Sequence, residues 1–183
     1  MIAEAGSVPY VFNGIKREDF PSIKPTLRYG QVPSLTVNSE LTIYQTPTIS
    51  RFLAQESNSL YPKDHIQATL SEEYVATIDE LLGKAYKAMF ASEESKREEE
   101  TKAFLEGPFK QVIGALDGIV EKNGGYLVDG QLSWADLWLD EFARFSKADF
   151  TPFPNVFKLI HAVENNEKVK DYLNSDRNLR NRK

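Results

Sequence analysis

The spacing of apolar and polar positions changes character once along this chain. Between residues 34 and 44 it has a period of two. Leu35 and Val37 alternate with Ser34 and Thr36, and Leu41 and Ile43 alternate with Thr42 and Tyr44. That is strand patterning. Asn38-Ser39-Glu40 separates the two runs, and Asn tolerates a left-handed backbone, so they are expected to pair as an antiparallel hairpin. Thr46-Pro47 then opens a helix, with Thr46 as cap and Pro47 at the first helical position. Ile49, Phe52 and Leu53 supply its apolar face.

Upstream, residues 1–5 read as the tail of a helix ended by Gly6. Residues 8–12 read as a strand with Pro9 near its entry. Residues 13–27 are polar, contain Pro21 and Pro25, and read as a loop with short helical turns. Residues 57–62 form the best linker, because composition turns from strand-like to helical there. From Asp64 onward the period is helical throughout. Ile66, Leu70, Tyr74, Ile78, Leu81, Leu82, Ala85 and Met89 mark one face of a long helix. The charged run 92–102 is a solvated face or a bend between helices. A further helix follows to about residue 121, with Pro108 at a start or kink and Asn123-Gly124-Gly125 as its end.

The most legible helix spans residues 132–147, and beyond a narrow stripe it is largely apolar and aromatic. Ser133 caps it, Asp136 reaches back to the cap, and Leu132 can staple to Leu137. Its expected polar stripe is narrow: Asp136, Asp140, Arg144 and Lys147. Trp134 and Trp138 fall in the core of a bundle. Pro154 opens another helix carrying Val156, Leu159, Ile160 and Val163. A short one spans 167–173, ahead of a basic tail, 175–183.

Composition narrows the function more than the fold. The 183 residues carry a net charge of −5, which disfavours broad nucleic-acid or anionic-membrane binding. No apolar run is long enough to span a membrane, and the first residues lack the basic start of a signal peptide. Cysteine is absent, which removes disulfides, thiolate catalysis and zinc–thiolate sites. A cytoplasmic location and no bound metal are expected.

The stretch GQVPSL, a polar turn, then YQTPTISRFLA resembles the glutathione-binding half of the cytosolic glutathione transferases, closest to the sigma class. GGYLVDGQLSWADLWLDE and PNVFKLIHAVENNEKVKDYL resemble the family's later helices. The resemblance implies a thioredoxin-like α/β domain, residues 1–57, followed by an all-helical bundle, residues 64–183. It implies glutathione as co-substrate, a hydrophobic or lipid-derived electrophile, and a homodimer. The Gly-Gln-Val-Pro segment, Gln31 included, matches the family's glutathione-binding turn. The Val32-Pro33 bond is expected to be cis, turning the Val32 peptide outward to pair with the ligand's cysteinyl residue. Gln45 and Thr46 stand at a helix N-terminus, a ready carboxylate site. Phe20 and Lys24 match the family's Trp-Pro-x-x-Lys, with Lys24 on the glycyl carboxylate and Phe20 lacking the indole donor. Asp79 matches an acid that reaches across the dimer to the ligand's amino group.

The resemblance puts the family's thiol-activating Tyr on a first strand ahead of Met1. None of the eight tyrosines stands at its position, so the catalytic residue is unassigned. The chain is therefore expected to be a fragment or a shortened paralogue, without the first strand and most of the first helix. Weak glutathione binding and poor turnover follow, since losing one such donor costs ~10²–10³ in rate. The rival expectation is a non-catalytic member of the same fold, a structural or partner-binding protein.

Overall fold

The alternating stretch folds as the hairpin its pattern dictates. In the computed structural model, which describes residues 1–91, 93–128, 130–178 and 181, β1 (Ser34–Val37) pairs antiparallel with β2 (Leu41–Tyr44). Val37 lies opposite Leu41 and Ser34 opposite Tyr44. Asn38 and Ser39 both take positive φ, 49° and 60°, the backbone sense that lets a tight turn follow the strands' twist. Among the described residues these two strands are the whole sheet. α3 (Thr46–Glu56) follows directly and buries Ala54. Arg51 Nη1 on α3 and the Tyr61 hydroxyl both donate to Glu72 Oε1, at 3.3 and 2.7 Å.

Residues 8–12, expected as a strand, are not one. A strand persists where its N–H and C=O groups find a ladder, and this run joins none. Val11 is 85% exposed. A side chain holds the run instead: the Tyr10 hydroxyl donates to Glu4 Oε1 at 2.7 Å. Glu4 also accepts from Arg177 Nε at 3.0 Å, which ties this end of the chain to the other. Short helical turns do occupy the following loop, as α2 (Phe20–Ile23) and a 3₁₀ turn at Lys24–Thr26. α1 (Ile2–Ala5) ends at Gly6 as expected, but Gly6 is not left-handed (φ −81°). Close packing explains the glycine: a Cβ there would lie 2.6 Å from Cβ of Ser57.

The helical bundle begins with α4 (His65–Met89), where Asp64 Oδ1 accepts from the N–H groups of Ile66 and Gln67 at 3.0 Å each. Its buried face keeps Tyr74, Ile78, Leu81 and Ala85 of the expected one and adds Ser71, Val75 and Ala88, whereas Ile66 is exposed. Ser71 lies on the inner face because α7 (Trp134–Ser146) packs there, and Trp134 Nε1 reaches Ser71 Oγ at 2.8 Å. α5 (Glu94–Phe104) carries the charged run, exposed as expected; Ser92, its first residue, lies outside the described residues. A π-helical turn, Leu105–Phe109, holds Pro108 and bends the chain into α6 (Lys110–Lys122). Gly124 and Gly125 (φ 73° and 104°) then close α6, with Gly125 N–H on the Val120 carbonyl at 2.8 Å.

α7 (Trp134–Ser146), α8 (Pro154–Asn165) and α9 (Glu167–Asn174) complete the bundle. Of the basic tail, residues 179, 180, 182 and 183 lie outside the described residues. Phe109 meets Phe142, Phe150 and Phe153 with ring centroids 5.2–6.3 Å apart. Residues 133–140 are all buried. The expected polar stripe on α7 is therefore not a solvent face. Asp136 and Asp140 lie inside, Arg144 pairs with Glu164 at 3.2 Å, and Lys147 alone of the four is exposed.

Asp136 is inside because its carboxylate serves the chain around it. The expected capping box is present. Oδ2 accepts from the N–H and the hydroxyl of Ser133, both at 2.7 Å, and Oδ1 accepts from the Leu127 N–H at 2.9 Å. Burial pushes the carboxyl up to about 6, and these hydrogen bonds pull against that rise. Ser133→Ala removes one donor and should destabilise the fold by about 1 kcal/mol in chemical denaturation. Asp136→Asn turns one acceptor into a donor facing donors and should cost about 2–3 kcal/mol at neutral pH. The folded-state pKa of Asp136 lies above the unfolded one, so the native state holds the proton more tightly. Its contribution is then fully present below about pH 4 and falls as pH rises through about 6. The stability gap between wild type and Asp136→Asn should accordingly narrow from pH 4 to pH 7, measured as paired denaturation curves.

Candidate functional site

The turn before β1 and the junction of β2 with α3 close on each other and leave a cleft. Gln31, Val32 and Pro33 line one side, Gln45 and Thr46 the other. The Val32-Pro33 bond is cis. Val32 is 49% exposed and precedes the first laddered residue, Ser34, so its backbone stands outside the β1–β2 pairing. Its open volume, about 30 Å³, holds little more than a water molecule. A peptide ligand would lie across its mouth rather than within it.

The helix start sits one residue earlier than the sequence suggests. Gln45, not Thr46, is the cap, with φ 72°, and its carbonyl accepts from Ile49 N–H at 2.9 Å. Thr46 is the first helical residue, ahead of Pro47. The Gln45 side chain caps nothing. The first-turn N–H of Thr46 and its hydroxyl therefore lie at the positive end of an 11-residue helix, beside the cleft.

Lys24 is carried to the same place by packing. Its Cε lies 3.3 Å from where a Cβ on Gly30 would stand, so its stem runs over Gly30 immediately before Gln31. Gly30 has φ +60°, a conformation that suits glycine. Phe20 is half-buried at the start of α2, one turn before Lys24, whose N–H bonds its carbonyl. Asp79 is apart from this group. It is exposed on α4, does not line the cleft, and partial desolvation holds its carboxyl above the usual range.

Sequence reasoning missed an aromatic wall. Tyr29 and Tyr44 line the cleft and meet edge to face with centroids 5.4 Å apart. The Arg28 guanidinium lies 5.1 Å from the Tyr44 ring centre and 6.0 Å from that of Tyr29. Tyr29 and Tyr44 are fifteen positions apart, and only closure of the hairpin onto the preceding turn makes them neighbours. The one local signal was that both tyrosines flank the Gly-Gln-Val-Pro and Gln-Thr-Pro segments.

A larger trough of about 720 Å³ opens where α4 gives way to α5. Tyr86 and Phe90 stack along it at 5.7 Å, Phe145 backs Tyr86 at 4.3 Å, and Lys87 and Lys96 stand at its sides. Among the described residues, no group of His, Cys, Asp or Glu is placed to hold a metal ion. Nor is any helix among them long and apolar enough to cross a membrane.

Comparison with known proteins agrees with this architecture. A family model described as glutathione S-transferase, C-terminal domain, matches residues 79–176. A glutathione S-transferase of Anopheles gambiae is 27% identical over 173 residues, 92% of this chain and 84% of that protein. The hematopoietic prostaglandin D synthase of Gallus gallus is 29% identical over 143 residues, 76% of this chain and 67% of that one. Among solved structures, prostaglandin synthase D of Nilaparvata lugens superposes with a TM-score of 0.83 at 24% identity, covering 94% of this chain and 87% of that one. The two-stranded α/β region, the helical bundle behind it and these matches together make the chain a member of the glutathione S-transferase family.

Proposed function

We propose that this chain is a glutathione transferase. In this reading it binds glutathione across the Val32 cleft and directs its thiolate at an electrophilic, hydrophobic or lipid-derived substrate. One observation carries the reading. A backbone edge at Val32 and a helix N-terminus at Gln45 and Thr46 line one opening, and the stem of Lys24 crosses Gly30, next to Gln31 of that lining. Those are the three things an anionic tripeptide thiol requires. The N–H and C=O of Val32 pair with the cysteinyl residue as an added strand does. Pro33 fixes the edge, and Gln31 flanks it. The first turn of α3 and the Thr46 hydroxyl take the γ-glutamyl carboxylate. Lys24, above Phe20, faces the glycyl carboxylate.

Asp79 completes the site from a second copy of the chain. Its partial desolvation disfavours an isolated charge, so an ammonium group brought beside it gains more than it would in water. The trough between α4 and α5 is of ligand size and apolar on one wall, which suits the second substrate. The name of the prostaglandin D synthase relative supports a lipid-derived one. In the reaction the thiol gives its proton to water and the sulfur forms a bond to the electrophilic carbon; either the bond to a leaving group breaks and its pair departs with that group, or a π bond breaks and its pair moves to the neighbouring atom, which takes a proton from water. The α/β region, residues 1–57, serves glutathione, and the helical region, residues 64–183, serves the electrophile. Absence of cysteine accords with a cytoplasmic location and with chemistry that uses the ligand's own thiol. No metal is invoked.

A non-catalytic member that keeps the cleft is the second reading. It is favoured by one feature: cleft and trough share no lining residue. Two assays on the full chain separate the possibilities. Calorimetric titration should show glutathione binding, weakened about tenfold or more by Thr46→Val, the usual worth of one hydrogen bond to a charged group. No heat at millimolar glutathione would overturn the glutathione reading. With binding established, conjugation of a chlorodinitrobenzene electrophile indicates the enzyme, and its absence the binding module. Sedimentation should give a mass twice 20.8 kDa. Asp79→Asn should weaken glutathione binding without changing that mass, and a monomer that binds glutathione normally would remove Asp79 from the site.

A further inference from the structure

The turn ahead of Gln31 carries two cations, and the glutathione reading uses one. Leu27 N–H bonds the Lys24 carbonyl at 3.2 Å and Gly30 N–H bonds the Leu27 carbonyl at 3.0 Å. Two overlapping turns thus wrap residues 24–30, with the stem of Lys24 against Gly30 and the Arg28 guanidinium against Tyr29 and Tyr44. The stem of Lys24 crosses Gly30 on one side. Arg28 leans against Tyr44 and Tyr29, which line the cleft, and its N–H lies 3.4 Å from the Tyr44 hydroxyl. A guanidinium held on aromatic faces is positioned without spending its N–H donors, which stay free along its edge. Among the described residues neither Arg28 nor Lys24 forms an ion pair with a carboxylate, although the chain has 27 acidic residues against 22 basic ones. Two unpaired cations at the lip of a cleft, in an acidic protein, mark the position of an anion.

We propose that Arg28 is a second carboxylate anchor, which with Lys24 clamps the glycyl carboxylate of bound glutathione; this rests on the glutathione reading above. The planar fork of Arg28 takes the carboxylate through two parallel N–H···O bonds, and the two tyrosine rings set the plane of that fork. Lys24 adds a point charge from the other side of the turn. The clamp selects peptide thiols with a free C-terminal carboxylate over esters and over thiols that lack one.

The test is calorimetric titration of the full chain with glutathione and with its glycyl monoethyl ester. The ester keeps the γ-glutamyl and cysteinyl groups and loses only the charge in question. Wild type should bind glutathione about tenfold more tightly than the ester, the scale of one charge-assisted contact at a solvent-facing site. Arg28→Gln should lose most of that preference and leave ester binding unchanged. Arg28→Lys should keep part of it, since lysine supplies the charge without the fork. Arg28 is exposed, so all variants should melt with the wild type. The clamp is overturned, with glutathione binding intact, by equal wild-type affinity for the two ligands. It is likewise overturned by Arg28→Gln that binds glutathione as wild type does, or that loses both affinities in proportion. A wild-type chain that takes up neither ligand overturns the glutathione reading and the clamp together.

Discussion

The first turn of α7 is the point where the separate parts of this chain are fastened. Trp134 donates its backbone N–H to the Leu60 carbonyl at 3.0 Å and its indole N–H to Ser71 on α4. Two residues on, the buried carboxylate of Asp136 gathers Ser133 and Leu127. One helix start therefore fixes the segment that leads out of the α/β region, the inner face of α4 and the loop that follows α6. Each of these polar contacts is inside, where an unpaired group is costly. The bundle can bury an ionisable group at its centre because that group is saturated with donors.

The α/β region depends on this fastening. A two-stranded hairpin is marginal by itself, and most of this one is only half-buried. Its support comes from α3, which is held to α4 through the shared acceptor Glu72. The segment between them is not a loose tether. Ser57 and Leu60 are buried, and Ser57 Oγ both donates to the Ala54 carbonyl and accepts from Leu60 N–H. The cleft thus rests on a frame set by the bundle. The lining at Val32 and at the start of α3 is therefore placed by how that frame holds the turn and the helix.

The same dependence bears on the cations. Lys24 and Arg28 are exposed side chains, and either alone would be unremarkable. Gly30 lets one lie flat across the turn, and the Tyr29–Tyr44 pair gives the other a surface to rest on. Seats for two cations, a glycine for one and a pair of rings for the other, distinguish this opening from the larger trough at α4 and α5, where Lys87 and Lys96 flank an apolar wall.

What the sequence determined by itself is what acts over a few residues. The period of two and a turn that tolerates positive φ made the hairpin legible, and the Ser133–Asp136 spacing made the capping box legible. Pro154 and the glycines after α6 marked helix ends. Each is an interaction between positions no more than a turn or a hairpin apart. Where tertiary contact decides, the pattern misled or was silent. Residues 8–12 have the letters of a strand but no ladder to join. The inner face of α4 includes Ser71 because Trp134 of α7 reaches its hydroxyl, which no count of large apolar residues reveals. Asp136 and Asp140 look like a polar stripe and are buried. Tyr29, Tyr44 and Arg28 became a wall of the cleft only when the chain folded back on itself. Sequence spacing sets which groups a helix or strand presents; which of them meet is set by packing between elements distant in the chain.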